Sequence, residues 1–343
     1  MRKLLNTLHI TTQGAYVHRD GETISVKVGN EFRLRLPIHT IESLVCYGQV
    51  SCSPFVLGLC CERGVGISLM TENGRFLARV TGPVSGNVLL RRQQFRAADT
   101  TATALSIVTA IVTAKIANSR LVLLRGARET SDEERQIKLR ARADHLGHMG
   151  EAAAHSTTID EARGYEGVAA QDYFSVFNDL IGGDSEEFRF KGRSRRPPLD
   201  RTNAMLSFVY ALLRHDIESA LESVGLDPAV GFLHPDRPGR PGLALDMMEE
   251  MRPHLADRLV LSLVNRRQVQ GSGFTTEDGG GIVMDDATRK EVISAWQRRK
   301  QEEIEHPFLQ EKIPIGLIPY VQALLLARHL RGGLEVYPAF FWR

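Results

Sequence analysis

A chain of 343 residues is long for a single core and points to two domains, or to one domain with a substantial accessory module. The apolar and charged fractions, 43% and 24%, are those of an ordinary folded protein and exclude a disordered or fibrous chain. A net charge of only +2 excludes a polycation, although the positive charge is mostly arginine and is clustered.

The first eighty or so residues read as β-rich. Ala15 to Arg19 and Thr23 to Val28 are joined through Asp20-Gly21, a hairpin signal. Phe32, Leu34 and Leu36 alternate with Arg33 and Arg35 up to Pro37. Pro54 to Glu62 reads as a short helix closed by Gly64. Ile67 to Met70 and Arg75 to Val80 flank Glu72-Asn73-Gly74, a second hairpin signal. The cysteines, Cys46, Cys52, Cys60 and Cys61, all fall in this segment without a CxxC pair, so buried thiols are expected and not a zinc site or disulfide frame.

After Gly82-Pro83 the texture changes to helical spacing. Segments at 89–98, 102–124, 133–149, 158–181, 207–224, 243–264, 288–305 and 318–330 follow it, with Pro- and Gly-rich interruptions at 182–201, 225–242 and 271–283. The expected fold is α+β: an N-terminal β-rich domain, sandwich- or roll-like with one short helix, over 1–86, then a larger all-α domain over 87–343. No run approaches the roughly 18 apolar residues that a membrane helix needs. No continuous apolar stretch follows Arg2 and Lys3, so no signal peptide and a cytoplasmic location are expected.

The second half holds a trio of potential metal ligands: Glu166 in Gly164-Tyr165-Glu166-Gly167, His234 before Pro235, and Glu249 in a helical stretch with Asp246. Two carboxylates and an imidazole suit Mg²⁺ or Mn²⁺ and leave positions for a phosphate oxygen and a nucleophile. No spacing rule forces them together. Glu166 opens a helix whose buried stripe includes Ala170, Tyr173 and Phe177, so a partnered buried charge and a first-turn carboxylate favoured by the helix dipole are both open. His234 could be a ligand or a loop-edge packing residue. Asp246 and Glu249, three apart, share a helix face that is either a ligand with the carboxylate that orients it or a solvated acidic flank.

Five cations between Arg189 and Arg196, interleaved with Phe188 and Phe190 and followed by Pro197-Pro198, suit a mobile phosphate-gripping loop. There is no GxxxxGK[ST], and Gly279-Gly280-Gly281 does not fit GxGxxG, so nucleotide hydrolysis and dinucleotide binding have little support.

Taken in order, these residues resemble the CRISPR-associated integrase/endonuclease family of the spacer-adaptation module, in its type I-C form. The resemblance runs through Gly74 to Arg79, Gly86 to Arg92 and Gly164 to Gly167. It continues through Arg196-Pro197-Pro198 with Asn203 to Phe208, Gly231 to His234, and Leu243 to Pro253. It implies Glu166, His234 and Glu249 as catalytic metal ligands for Mg²⁺ or Mn²⁺, prefers Glu249 to Glu250, and makes Asp246 an assisting acid. It further implies a β domain followed by a helical domain, and a homodimer. Two such dimers would flank a dimer of a small CRISPR-associated partner of nuclease fold on double-stranded protospacer and CRISPR-repeat DNA. The activity implied is metal-dependent strand transfer of new spacers into the leader–repeat junction, with DNA endonuclease activity. A stand-alone structure-selective repair nuclease and a non-catalytic DNA-architectural subunit are the alternatives.

Overall fold

A computed structural model describes residues 7–72, 76–80, 82, 87–182 and 186–342. The chain divides into two units, Met1–Gly86 and Asn87–Arg343, each with its own internal packing.

In the first unit the strands are β1 (Thr7–Ile10), β2 (Ala15–Asp20), β3 (Thr23–Val28), β4 (Glu31–Pro37), β5 (Ser43–Tyr47), β6 (Ser51–Cys52), β7 (Gly66–Met70) and β8 (Phe76–Val80). Two four-stranded sheets result, in the orders β1-β5-β7-β8 and β4-β3-β2-β6. The β2–β3 hairpin closes where expected, with Gly21 at φ +60° supplying the left-handed turn that a side chain resists. Helix α1 (Pro54–Arg63) starts at Ser53, whose hydroxyl accepts from Val56 N, and stops at Gly64, φ +70°. The turn at Glu72-Asn73-Gly74 falls partly outside the described residues. Val17, Ile24, Leu44, Val56, Leu59 and Ile67 are fully buried in this unit's core.

Simple alternation puts Phe32 on the same face as Leu34 and Leu36, and here the fold departs from it. Val26 pairs with Leu34 but Lys27 pairs with Phe32, so Arg33 is an extra bulged residue. The one-residue shift turns Phe32 outward, where the Lys27 ammonium and the Arg35 guanidinium each lie 4.2 Å from its ring. All four cysteines are free thiols, with Cys46 and Cys60 buried.

The second unit is helical: α2 (Val88–Asp99), α3 (Thr101–Glu129), α4 (Glu133–Ala154), α5 (Ile159–Ser175), α6 (Arg201–Val224), α7 (Gly242–Arg252), α8 (Arg258–Asn265), α9 (Asp286–Gln301) and α10 (Ile318–Leu330). It is not purely helical, because β9 (Phe274–Thr276) pairs with β10 (Ile282–Met284) and β11 (Glu303–Glu305) with β12 (Lys312–Pro314). Three-residue strands carry too little period-2 signal to stand out in a sequence. α3 packs on α4, α5 and α7. By length and composition α3 could cross a membrane, a possibility the reading of apolar runs passed over. Of its most apolar window, 61% is buried inside the fold, and it carries buried Lys115 and Asn118, so it is the core helix of this unit.

The stretch 243–264, read as one helix, is interrupted. Pro253 has no N–H to donate to the carbonyl of Glu249, and the chain passes through a π-helical turn at Pro253–Asp257 before α8.

Candidate active site

Glu166 lies well inside α5, which begins at Ile159 behind its Thr158 cap. The carboxylate is therefore too far from the helix start for the dipole to explain it. Would-be Cβ atoms on Gly164 and Gly167 meet nothing within 4 Å, so this face of α5 is open.

The His234 loop is shaped by two glycines facing each other. A Cβ on Gly231 would stand 2.7 Å from Asp246 Oδ2 and from the carbonyl carbon of Gly242, and one on Gly242 would stand 2.7 Å from Ala229 O. Their absence lets the loop settle on the first turn of α7. There the fully buried Asp246 accepts from Phe232 N (2.6 Å) and Leu233 N (3.0 Å) on Oδ2, and from His234 N (3.0 Å) and His234 Nδ1 (2.7 Å) on Oδ1. A carboxylate only accepts, so Nδ1 carries the hydrogen, and in the neutral ring the lone pair is on Nε2. From α2, Gln94 donates to Asp227 O (2.8 Å) and Val230 O (2.9 Å). From α5, Arg163 donates to Leu233 O (2.9 Å).

Helix α7 is buried on all sides, which removes the solvated-flank reading: Asp246 is 0%, Glu249 6% and Glu250 0% exposed. The two adjacent glutamates diverge. Glu250 accepts from Tyr337 Oη (2.6 Å) and Phe340 N (2.7 Å) and fastens the C-terminal segment. Burial outweighs these bonds and pushes its carboxyl up to about 7.

Glu249 meets the buried ammonium of Lys115 at 2.5 Å and Arg252 at 2.6 Å. The same ammonium is bonded to Glu166. Lys115 thus bridges the carboxylates of α5 and α7. Burial pushes Glu249 up, but Arg252, Lys115 and nearby His234 outweigh it and hold the carboxyl down to about 2.

Glu166, His234 and Glu249 all line one cavity of about 810 Å³, with Arg163, Arg193, Arg195, Arg237, Arg240 and Arg252 around them. Among the described residues, no group of three His, Cys, Asp or Glu side chains stands ready to hold a metal ion. Lys115 lies between the two glutamates as the counter-cation. A mid-helix lysine in an apolar stretch gave no sign in the sequence of being part of a site. Its only signal is a buried charge on a core helix, which demands an opposite charge nearby.

The basic loop is anchored along its length and is not a free arm. Phe188 and Phe190 are buried. Asn178 donates to Phe190 O and accepts from Phe190 N, both at 2.7 Å. Thr202 donates to Phe188 O (2.7 Å) and Asn203 to Gly192 O (2.7 Å). The phenylalanines are therefore anchors, while Arg193 and Arg195 face the cavity.

The family profile described as CRISPR associated protein Cas1 matches residues 8–298. A "CRISPR-associated endonuclease Cas1 1" of Chlorobaculum tepidum is 50% identical over 343 residues, covering 100% of both chains. "CRISPR-associated endonuclease Cas1 2" of Rhodospirillum rubrum is 49% identical over 347 residues, again covering 100% of both. Among solved structures, a CAS1 protein from Thermotoga maritima superposes with TM-score 0.83 at 22% identity, covering 97% of this chain and 99% of the other. A casposase bound to integration product superposes with TM-score 0.83 at 20% identity, covering 98% and 94%. At those identities the structural likeness speaks for the fold. With the profile match and the full-length relatives, the chain belongs to the Cas1 family of CRISPR-associated endonucleases.

Proposed function

We propose that this chain is a CRISPR adaptation integrase, type I-C-like, that inserts new spacers at the leader–repeat junction by metal-dependent strand transfer and cleaves DNA with the same site. The observation that carries this reading is one cavity lined by Glu166, His234 and Glu249 and rimmed with arginine. Its chemistry fits a divalent cation: two carboxylates already share a positive charge, and one imidazole has its second nitrogen fixed by a buried acid. Glu166, Glu249 and His234 through Nε2 would hold Mg²⁺ or Mn²⁺, with Lys115 withdrawn. When bound, such an ion polarises the scissile phosphate and offsets the charge that builds on it.

The chain's own residues do the rest. Asp246 holds the imidazole in one orientation, so the ring itself need not turn as DNA arrives. Arg163, Arg193, Arg195, Arg237 and Arg240 offer planar forks for backbone phosphates, which would place a 3′-hydroxyl in line with the target phosphodiester. The attacking oxygen forms the new P–O bond as the old one breaks, and the leaving strand keeps the released 3′ oxygen. Water in place of the hydroxyl gives cleavage. The assembly that fits this reading is a homodimer, with two dimers flanking a dimer of a small nuclease-fold partner on protospacer and repeat DNA. Solved structures of similar fold include a Cas6-RT-Cas1–Cas2 complex and a casposase bound to integration product, which supports this reading.

The test uses purified full-length protein with forked and repeat-containing duplexes. Glu166→Gln and His234→Ala are expected to lose both strand transfer and cleavage while duplex binding is retained. Strand transfer that survives in both variants overturns the reading.

A further inference from the structure

Helix α6 carries Asn203, Ser207 and Tyr210 at offsets of four and seven, which puts them on one stripe. That stripe receives Arg193 of the basic loop. The Arg193 guanidinium donates to Asn203 Oδ1 at 2.7 Å and to Ser207 Oγ at 3.3 Å, and lies 5.1 Å from the Tyr210 ring centroid. A second guanidinium, that of Arg252 on α7, lies 5.1 Å from the same ring. The Tyr210 hydroxyl is fixed in turn, donating to Asp257 Oδ1 in the π-helical turn at 2.5 Å.

An arginine side chain has many rotamers, and its ion pair with Glu249 at 2.6 Å does not by itself select one. The ring does, because a guanidinium held against an aromatic face keeps few of its rotamers. Arg252 is then held where it pairs with Glu249. Arg193 and Arg252 both line the cavity, Arg252 paired with Glu249 and Arg193 with Asn203 and Ser207.

We propose that Tyr210 is a positioning residue: holding Arg252 against its ring, it sets the orientation of Glu249, and through Arg193 it ties the phosphate-facing loop to that carboxylate. The proposal rests on the reading of Glu249 as a metal ligand. An outer partner of this kind governs how well the ligand is presented, and its loss typically weakens metal binding about 10- to 100-fold.

The experiment titrates Mn²⁺ alone into the purified full-length chain by calorimetry, so the readout does not depend on turnover. Tyr210→Leu should weaken Mn²⁺ binding by about 10-fold or more. Tyr210→Phe, which keeps the ring, should recover most of the wild-type affinity. Arg193→Met should lower affinity for both Mn²⁺ and DNA, whereas Arg195→Met should lower affinity for DNA alone. A folded Tyr210→Leu that binds Mn²⁺ as the wild type does overturns the proposal. Should Tyr210→Leu fail to fold, Arg252→Lys serves: it keeps the charge but not the planar stack, and unchanged Mn²⁺ affinity again overturns it. Glu249→Gln separates the two layers. If it binds Mn²⁺ normally, the ligand assignment falls and the proposal with it. If it does not while Tyr210→Leu does, only the role of Tyr210 falls.

Discussion

Lys115 on α3 and Glu249 on α7 form an ion pair of 2.5 Å in which both side chains are almost wholly buried, and the same ammonium also holds Glu166. A lysine there neutralises two acids that would otherwise repel each other in a low-dielectric site. It also competes with any divalent cation for them. Lys115→Met should therefore destabilise the ion-free protein by about 3 kcal/mol, the low end for breaking a buried pair, since Arg252 remains beside Glu249. Mn²⁺ should restore that stability and bind more tightly than to the wild type. Denaturant titrations with Mn²⁺ and with EDTA check both, and equal stability of the two proteins in EDTA would contradict the counter-cation role.

Asp246 gives a second prediction. Both its oxygens accept two hydrogen bonds, all from the 232–234 loop. In Asp246→Asn, an amide NH₂ must face donors at whichever oxygen it replaces, leaving a clash of donors in a buried place. The expected cost is about 1–3 kcal/mol of stability. Activity should fall about 10- to 100-fold, as for other residues that orient a ligand from behind. Hydrogen exchange at the amides of Phe232, Leu233 and His234 should rise selectively. A variant with wild-type exchange there and wild-type activity would show that Asp246 does not hold the loop.

Lys115 marks where the sequence stops being legible. Local rules sufficed for the β2–β3 hairpin, for α1 between Ser53 and Gly64, and for most helices after residue 87, because turn chemistry and apolar period are written in neighbouring residues. They also flagged Glu166, His234 and Glu249, though only the resemblance to a family preferred Glu249 to Glu250. Lys115 lies 51 residues from Glu166, and Gln94 reaches 133 residues to Asp227. No periodicity encodes such pairings, which exist only once helices pack. Phe32 failed for a different reason: a single bulged residue reverses the facing of everything beyond it.

His254 supplies a pH prediction. It stacks on Trp342, with ring centroids 4.4 Å apart and planes 4° from parallel. Burial, helped by the charges of Arg258, Arg299 and Arg125, pushes its pKa down to about 2 from an ordinary 6.5. A depressed pKa means the unfolded chain takes up a proton that the folded chain refuses. The contribution to stability is thus whole above pH 6.5 and drains away as pH falls from there toward 2. His254→Phe keeps an aromatic ring on Trp342 without a proton to accept. Its unfolding free energy should decline less steeply than that of the wild type between about pH 6.5 and 4.5. Parallel slopes in denaturant titrations across that range would rule this out.

Glu250 yields the last prediction, and it separates two neighbours that composition treats alike. Its carboxylate takes Tyr337 Oη at 2.6 Å, Phe340 N at 2.7 Å and, more distantly, Gln322 Nε2 at 3.4 Å. Asn118 reinforces the seam from α3, donating to Glu250 O and Phe340 O and accepting from Trp342 N. The C-terminal segment is thereby sewn to the two helices that present Lys115 and Glu249. Glu250→Ala should leave the Tyr337 hydroxyl and Phe340 amide without their acceptor, at a cost of about 1–3 kcal/mol. It should also expose the segment after Gly333 to proteolysis before the rest of the chain opens. Glu249→Gln should instead lose activity with the segment still protected. Limited proteolysis followed by mass spectrometry distinguishes them, and protection unchanged in Glu250→Ala would mean that Asn118 and the aromatic contacts hold the segment without Glu250.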